Sequence, residues 1–190
     1  MTDKARALID EAESKKQPLS ETMYNLLERD AKRNWDLFYK ANKTNFYKDR
    51  NYIKHEFKEL SEAKPPFLLL DAGCGVGNGF YPLFREFGMR VHCCDFSPRA
   101  VDFVKQNELY KADLIDAQVC DLVKDPALPF ALETADFGLF LFVLSAISPE
   151  NHPAVAVKIY QQMKPGGILY FRDYGRYDLA QLRLAQRPTT

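Results

Sequence analysis

The stretch from Phe67 to Gly79, FLLLDAGCGVGNG, constrains this chain more than any other. An apolar run reaches Leu70, Asp71 follows, and Gly73, Gly75 and Gly77 alternate with other residues before a helix-like run. Such a run ending in an acid predicts a parallel strand buried on both faces that turns sharply into a helix. Glycines in the turn remove the Cβ atoms that hold a backbone away from a ligand, and the next helix N-terminus offers free N–H groups. A nucleotide-like cofactor fits such a turn. A tight glycine turn with no ligand is the alternative reading.

With 190 residues, 46% hydrophobic and 27% charged, the chain can bury a real core as a single folded unit rather than stay disordered. Its formal net charge is zero, so whole-molecule charge gives no support to nucleic-acid binding and any such footprint must be local. Cys74, Cys93, Cys94 and Cys120 lack zinc-ligand spacing, which predicts buried free thiols and no metal. The charged N-terminus carries no apolar core and no run approaches membrane-spanning length, so the expectation is a cytoplasmic protein, also nuclear, with no membrane contact.

Residues 4–16 form a weakly amphipathic segment that ends near Pro18. Ser20 is placed as an N-cap for a helix over 21–41, on which Leu27, Ala31, Trp35, Phe38 and Tyr39 share a face. That stripe is either core or a lid that sets Trp35 and Tyr39 against a cofactor. From Lys40 to Lys58 six cations (Lys40, Lys43, Lys48, Arg50, Lys54, Lys58) face two acids (Asp49, Glu56), with Phe46, Tyr47, Tyr52 and Phe57 between them. Cations interleaved with aromatics suit RNA phosphates and splayed bases. A solvated helix face with a hydrophobic anchor is the alternative. Pro65 and Pro66 close the segment, dividing the chain into a helical, basic and aromatic extension (1–64) and a cofactor-binding domain (65–190).

Further on, the pattern predicts a helix over 78–87, a strand from Met89 to Cys94 ending in Asp95, and a helix begun by Ser97 and Pro98 that runs to about Asn107. Strands follow at Leu114 to Val119, with Asp121 directly after, and at 136–144. A helix over 150–163, a turn over 164–167, a strand over 168–172 and a helix over 177–186 complete the reading. Asp71, Gly73, Gly75 and Gly77 form a D-x-G-x-G-x-G motif that resembles the S-adenosylmethionine-dependent methyltransferases. The resemblance implies a class I, Rossmann-like α/β fold, a parallel sheet with helices on both faces. It implies that Asp71 accepts from the cofactor's ammonium, Asp95 from the ribose diol and Asp121 from the adenine amino group. The alternative for Asp95 and Asp121 is turn chemistry. The fourth strand ends in Phe142, Val143 and Leu144, without a (D/N)PP(Y/F) motif or a cysteine nucleophile. Transfer to an atom that is already nucleophilic, such as a ring nitrogen, is what remains.

The blocks NWDLFYKANKTNFYKDR, DAGCGVGN, CDFSPRAVDFVKQN, LFVLSAISPE and MKPGGILYFRDYG together resemble the tRNA 3-methylcytidine methyltransferases, most closely the serine-tRNA branch, over about residues 30–183. This resemblance implies S-adenosylmethionine contacts from Trp35, Tyr39, Gly73, Asp95, Asp121 and the backbone at Leu141. It implies RNA and base contacts from Lys43, Phe46, Tyr47, Lys48, Arg50 and Tyr174, with Arg172 and Asp173 as catalytic candidates. Asp173 would stabilise the base as it becomes cationic, unless it is only an ion-pair partner of Arg172 or Arg50. Target position 32 of the anticodon loop and seryl-tRNA synthetase as a partner come from the same resemblance. One departure is expected: the chain ends without the family's final β-hairpin, leaving the fifth strand at an edge. Alternatives are a non-catalytic family member that acts through a partner, and a small-molecule methyltransferase.

Overall fold

The computed structural model describes residues 3–14, 20–179 and 181–182. Five strands, β1 Leu68–Ala72, β2 Arg90–Asp95, β3 Ile115–Val119, β4 Ala135–Leu141 and β5 Met163–Arg172, form one parallel sheet in the order β3-β2-β1-β4-β5. The helices are α1 Asp3–Ser14, α2 Glu21–Asn42, α3 Ile53–Glu56, α4 Lys58–Glu62, α5 Tyr81–Phe87, α6 Pro98–Lys105 and α7 His152–Tyr160. Alternation along the strands explains why helices cover both faces. Leu69, Val91, Cys93 and Leu139 point to the face packed by Phe84, Val101 and Val104 of α5 and α6. Leu68, Leu70, Ala72 and Phe140 point to the other, packed by Val155 and Ile159 of α7. Each fully buried leucine contributes about 1.5–3 kcal/mol relative to exposure, so the five buried residues of β1 make it the centre of the fold.

Ile53 of α3 and Leu60 of α4 are fully buried in the same cluster as Leu69, and Phe57 between them stacks on Tyr170 at 4.3 Å. Phe57 is thus the anchor of its segment. All four cysteines are free and buried. No described helix is long and apolar enough to cross a membrane.

Several boundaries differ from the sequence pattern. Residues 78–80 are turns and α5 begins only at Tyr81, because Gly77, at φ 91°, still belongs to the loop. β4 stops at Leu141, not 144, where Phe142 adopts φ 60°. The helix expected over 150–163 splits into a 3-10 turn, Pro149–Asn151, and α7, which stops at Tyr160. β5 already starts at Met163, opposite Ala135; the next pair is Phe137 with Ile168, so residues 164–167 bulge out within the strand around Gly166 at φ 81°. Among the described residues β5 pairs only with β4, at the edge of the sheet. Most of the helix expected over 177–186 lies outside the described residues.

Candidate cofactor and acceptor site

Strand order reverses between β2-β1 and β4-β5, which opens a crevice at the C-terminal ends of the strands. The glycine loop folds back over β2, with Gly73 N and Cys74 N both donating to Cys94 O at 2.8 and 2.9 Å. Gly75 has φ 54°, and a Cβ there would stand 2.9 Å from the Tyr39 hydroxyl oxygen. Only glycine meets both conditions.

α2 roofs the crevice. Ser20 caps it, its hydroxyl accepting from Met23 N at 3.2 Å. Asp36 ties it to α6 by accepting from Ser97 Oγ at 2.9 Å and Arg99 Nε at 3.4 Å, and Tyr24 donates to Glu150 at 2.6 Å near its start. Of the apolar stripe only Tyr39 is buried, whereas Leu27 is 45% exposed. Trp35 and Tyr39 line the cavities beneath the helix and also pack with Phe38, Val76 and Ala100 in a small apolar cluster, so their place fits the lid and the core readings alike, whereas Leu27 fits neither.

Beneath α2 are two adjoining cavities of about 130 and 70 Å³ that share Trp35, Tyr39, Gly73 and Phe142. Asp95, Phe96 and the loop from Cys120 to Lys124 line the larger one. Asp95 is buried; its two oxygens accept from Gly75 N at 2.9 Å and Ser97 N at 3.0 Å, and each keeps a lone pair for a ligand. Burial pushes Asp95 up to about 6 despite those two N–H donors. One Asp121 oxygen accepts from Val123 N at 3.0 Å and Lys124 N at 3.1 Å, so this residue does make turn contacts while facing the cavity. Burial first, then the charge of Asp95, drive the Tyr39 hydroxyl far above its usual range, keeping it neutral.

Asp71, Gly75, Leu141, Tyr47 and Arg50 line the smaller cavity. Asp71 is 4% exposed, and a Cβ on Gly79 would come within 2.9 Å of its Oδ2. No side-chain hydrogen bond reaches its oxygens among the described residues. Burial pushes it up to about 7, with Arg50 opposing and Asp95 reinforcing. A buried carboxylate without a donor calls for a cationic or hydrogen-bonding ligand, and here it faces a cavity. The residues present therefore fit an amino acid joined to a nucleoside: an ammonium on Asp71 and hydroxyls on Asp95.

The acceptor side gathers around Phe142, whose ring carries the Arg50 guanidinium at 4.6 Å and meets the Tyr174 ring at 5.0 Å. Phe46 is 56% exposed and packs edge-on to Phe38 and Tyr47 at 4.9 and 4.8 Å. Lys43 caps α2, and both Lys43 and Lys48 are exposed outside the cavities. Lys54 and Lys58 pair with Glu86 and Glu62 and leave the basic segment. Arg172 is not brought to the crevice: its guanidinium pairs with Glu56 and lies over the Tyr52 ring at 4.9 Å. Asp173 pairs with neither arginine; its oxygens accept from Ser145 N at 2.9 Å and Tyr174 N at 2.7 Å, bracing the loop after β4. The sequence reading missed Phe142 and Phe96 as cavity walls. Their only signal is position, one residue beyond β4 and β2.

A parallel sheet with helices on both faces, a glycine loop after β1 and acids near the ends of β1 and β2 and just after β3 define a class I S-adenosylmethionine-dependent methyltransferase fold. Residues 70–171 match the family model described as "Methyltransferase domain". Phospholethanolamine N-methyltransferase 2 of Haemonchus contortus, solved with phosphomonomethylethanolamine and S-adenosylhomocysteine, superposes with a TM-score of 0.54 at 23% identity, over 75% of this chain and 34% of that one. The tRNA N(3)-cytidine methyltransferase METTL6 of Homo sapiens is 43% identical over 189 residues, 94% of this chain and 66% of that protein. The tRNA N(3)-methylcytidine methyltransferase trm141 of Schizosaccharomyces pombe is 39% identical over 168 residues, 86% of this chain and 67% of that protein. This chain belongs to the tRNA N(3)-cytidine methyltransferase family. It spans between 57% and 67% of the length of the mammalian relatives it matches.

Proposed function

We propose that the chain binds S-adenosylmethionine under α2 and methylates N3 of an unpaired cytidine at position 32 of a tRNA anticodon loop, in serine tRNA. The observation that carries this reading is the pair of cavities meeting at Phe142: one is floored by strand-end carboxylates, the other flanked by Tyr47 and Arg50. The names of the relatives support the acceptor. The cofactor supplies an electrophilic methyl group on a sulfonium. Cytosine N3 offers an in-plane lone pair, so the protein's task is alignment and electrostatics and no general base is needed.

In this reading Asp71, Asp95 and Asp121 hold the ammonium, ribose and adenine ends, Trp35 and Tyr39 exclude water from above, and the backbone at Leu141 lies beside the amino-acid end. Tyr47, Phe142 and Tyr174 stack the flipped base, while Lys43, Phe46 and Lys48 meet the loop around it. Asp173 faces the ring as it becomes cationic, using the lone pairs its two backbone contacts leave free. Arg172 acts on the acceptor side through the Glu56 and Tyr52 contacts that fix the segment before the glycine loop. Residues 1–64 serve as lid and RNA contact and residues 65–190 as the methyltransferase domain. Seryl-tRNA synthetase is the proposed partner and the cytoplasm, with the nucleus, the proposed location.

The test is transfer from labelled S-adenosylmethionine into unmodified serine tRNA, with and without seryl-tRNA synthetase, followed by nucleoside mass spectrometry. A 3-methylcytidine product is expected. Calorimetric binding of S-adenosylhomocysteine without any product would instead assign the chain to a binding role.

A further inference from the structure

A second charged surface borders α2, and no residue of the aromatic segment 43–57 lines it. It is a groove between α2 and the start of α6 lined by Arg29, Lys32, Arg33, Arg99 and Lys124, with Asp36, Asp102 and Pro98. Five cations against two carboxylates is a local excess in a chain with zero formal net charge. Two of the acids nearest in sequence are already engaged, while Glu28 lines the neighbouring larger cavity. Asp36 accepts from Ser97 and Arg99, and Asp30, outside the groove, takes the fork of Arg29 at 2.9 and 3.1 Å. Lys32, Arg33 and Lys124 have no carboxylate within ion-pair distance among the described residues.

A merely solvated helix face pairs its charges at intervals of three or four. Asp36 stands three residues after Arg33 and four before Lys40 and pairs with neither. Arg29, Arg33 and Lys40 instead share one face over about 16 Å of helix, enough to meet more than one phosphate. The groove also shares Lys32 and Lys124 with the rim of the larger cavity, and the segment just past the far end of α2 delivers Tyr47 to the smaller one. Pro98 is the only apolar residue among those that line it and no aromatic ring does, so it offers charge above all. That chemistry suits sequence-independent contacts to a phosphate backbone.

We infer that this groove binds backbone phosphates of the tRNA, so that the RNA crosses α2 from the acceptor cavity to the α2–α6 face. The inference rests on the RNA substrate proposed above. Arg29 and Arg33 line neither cavity, which makes them the residues to change.

The experiment uses the full chain and an unmodified serine tRNA transcript, with binding followed by fluorescence anisotropy from about 50 to 200 mM salt. The double variant Arg29→Gln, Arg33→Gln is expected to flatten the slope of log affinity against log salt by about 1.5 and to bind roughly tenfold more weakly near physiological salt. Arg29→Lys with Arg33→Lys restores both, and S-adenosylhomocysteine affinity stays at the wild-type value in each. A double glutamine variant with wild-type slope and affinity overturns the inference alone and leaves the groove to an acidic protein surface. A wild-type chain that binds no tRNA overturns the inference and the proposed substrate together.

Discussion

Asp71 and Asp95 are buried acids whose folded-state values, about 7 and about 6, stand above the ordinary 3.8. A raised acid contributes stability that is fully present below its unfolded value and is lost as pH rises through the folded one. The ligand-free protein should therefore lose stability between pH 4 and 7, by at most about 1.4 kcal/mol per pH unit for each group. Asp71→Asn should flatten that decline in thermal unfolding scans; an unchanged slope would mean that Asp71 does not titrate in this window. Cofactor affinity should run the opposite way, rising toward pH 7 as Asp71 ionises to meet an ammonium. The roles of two other carboxylates separate by binding against turnover. Asp95→Ala should abolish S-adenosylhomocysteine binding in calorimetry, whereas Asp173→Ala should keep it and lower methyl transfer at least tenfold. Equal loss of binding in both would remove Asp173 from the acceptor side. Asp71, Asp95 and Asp121 were legible in the sequence because each stands at or just past the end of a strand-like segment. The pairing of Arg172 with Glu56, 116 residues away, was not, since no local pattern encodes a contact at that separation. Nor does anything local announce that Phe142 takes a left-handed backbone.

At the scale of elements, α2 joins the cofactor cavities to the rest of the molecule. Its period and its Ser20 cap were readable, but what it covers was not, because a stripe of apolar residues looks the same over a core and over a crevice. If it is a lid, Trp35→Ala should weaken S-adenosylhomocysteine binding about tenfold while leaving the unfolding midpoint of the ligand-free protein nearly unchanged, as Trp35 is only half-buried. A large drop in that midpoint with intact binding would return Trp35 to the core. Ser97 serves two elements at once: its hydroxyl accepts from Ala100 N at 3.3 Å, capping α6, and donates to Asp36 of α2. Ser97→Ala should cost about 1–2 kcal/mol in denaturant unfolding. β5 shows the limit of turn chemistry. Lys164-Pro165-Gly166-Gly167 does depart from regular pairing, as its composition predicts, yet β4 already claims Met163 opposite Ala135, so the turn becomes a bulge inside a strand.

Across the whole molecule, apolar runs marked the strands, and the resemblance carried by the glycine loop supplied their assembly into one parallel sheet with helices on both faces. Surface organisation was less legible. The cations counted between Lys40 and Lys58 divide in the structure into ion pairs at Lys54 and Lys58 and a set, Lys40, Lys43, Lys48 and Arg50, with no carboxylate within ion-pair distance among the described residues. β5 leaves Leu169 40% and Phe171 52% exposed beside an edge that pairs with no further strand among the described residues. The 190-residue chain should accordingly self-associate as its concentration rises, and Phe171→Lys should suppress this in size-exclusion chromatography without changing cofactor affinity. The central claim, that the two cavities join a cofactor to the N3 of one cytidine, is tested most directly with two otherwise identical serine tRNAs, bearing cytidine or uridine at position 32. Quantified by nucleoside mass spectrometry, 3-methylcytidine should form in the first and not in the second. Equal methylation of both, or none of the first by a chain that binds S-adenosylhomocysteine, would contradict it.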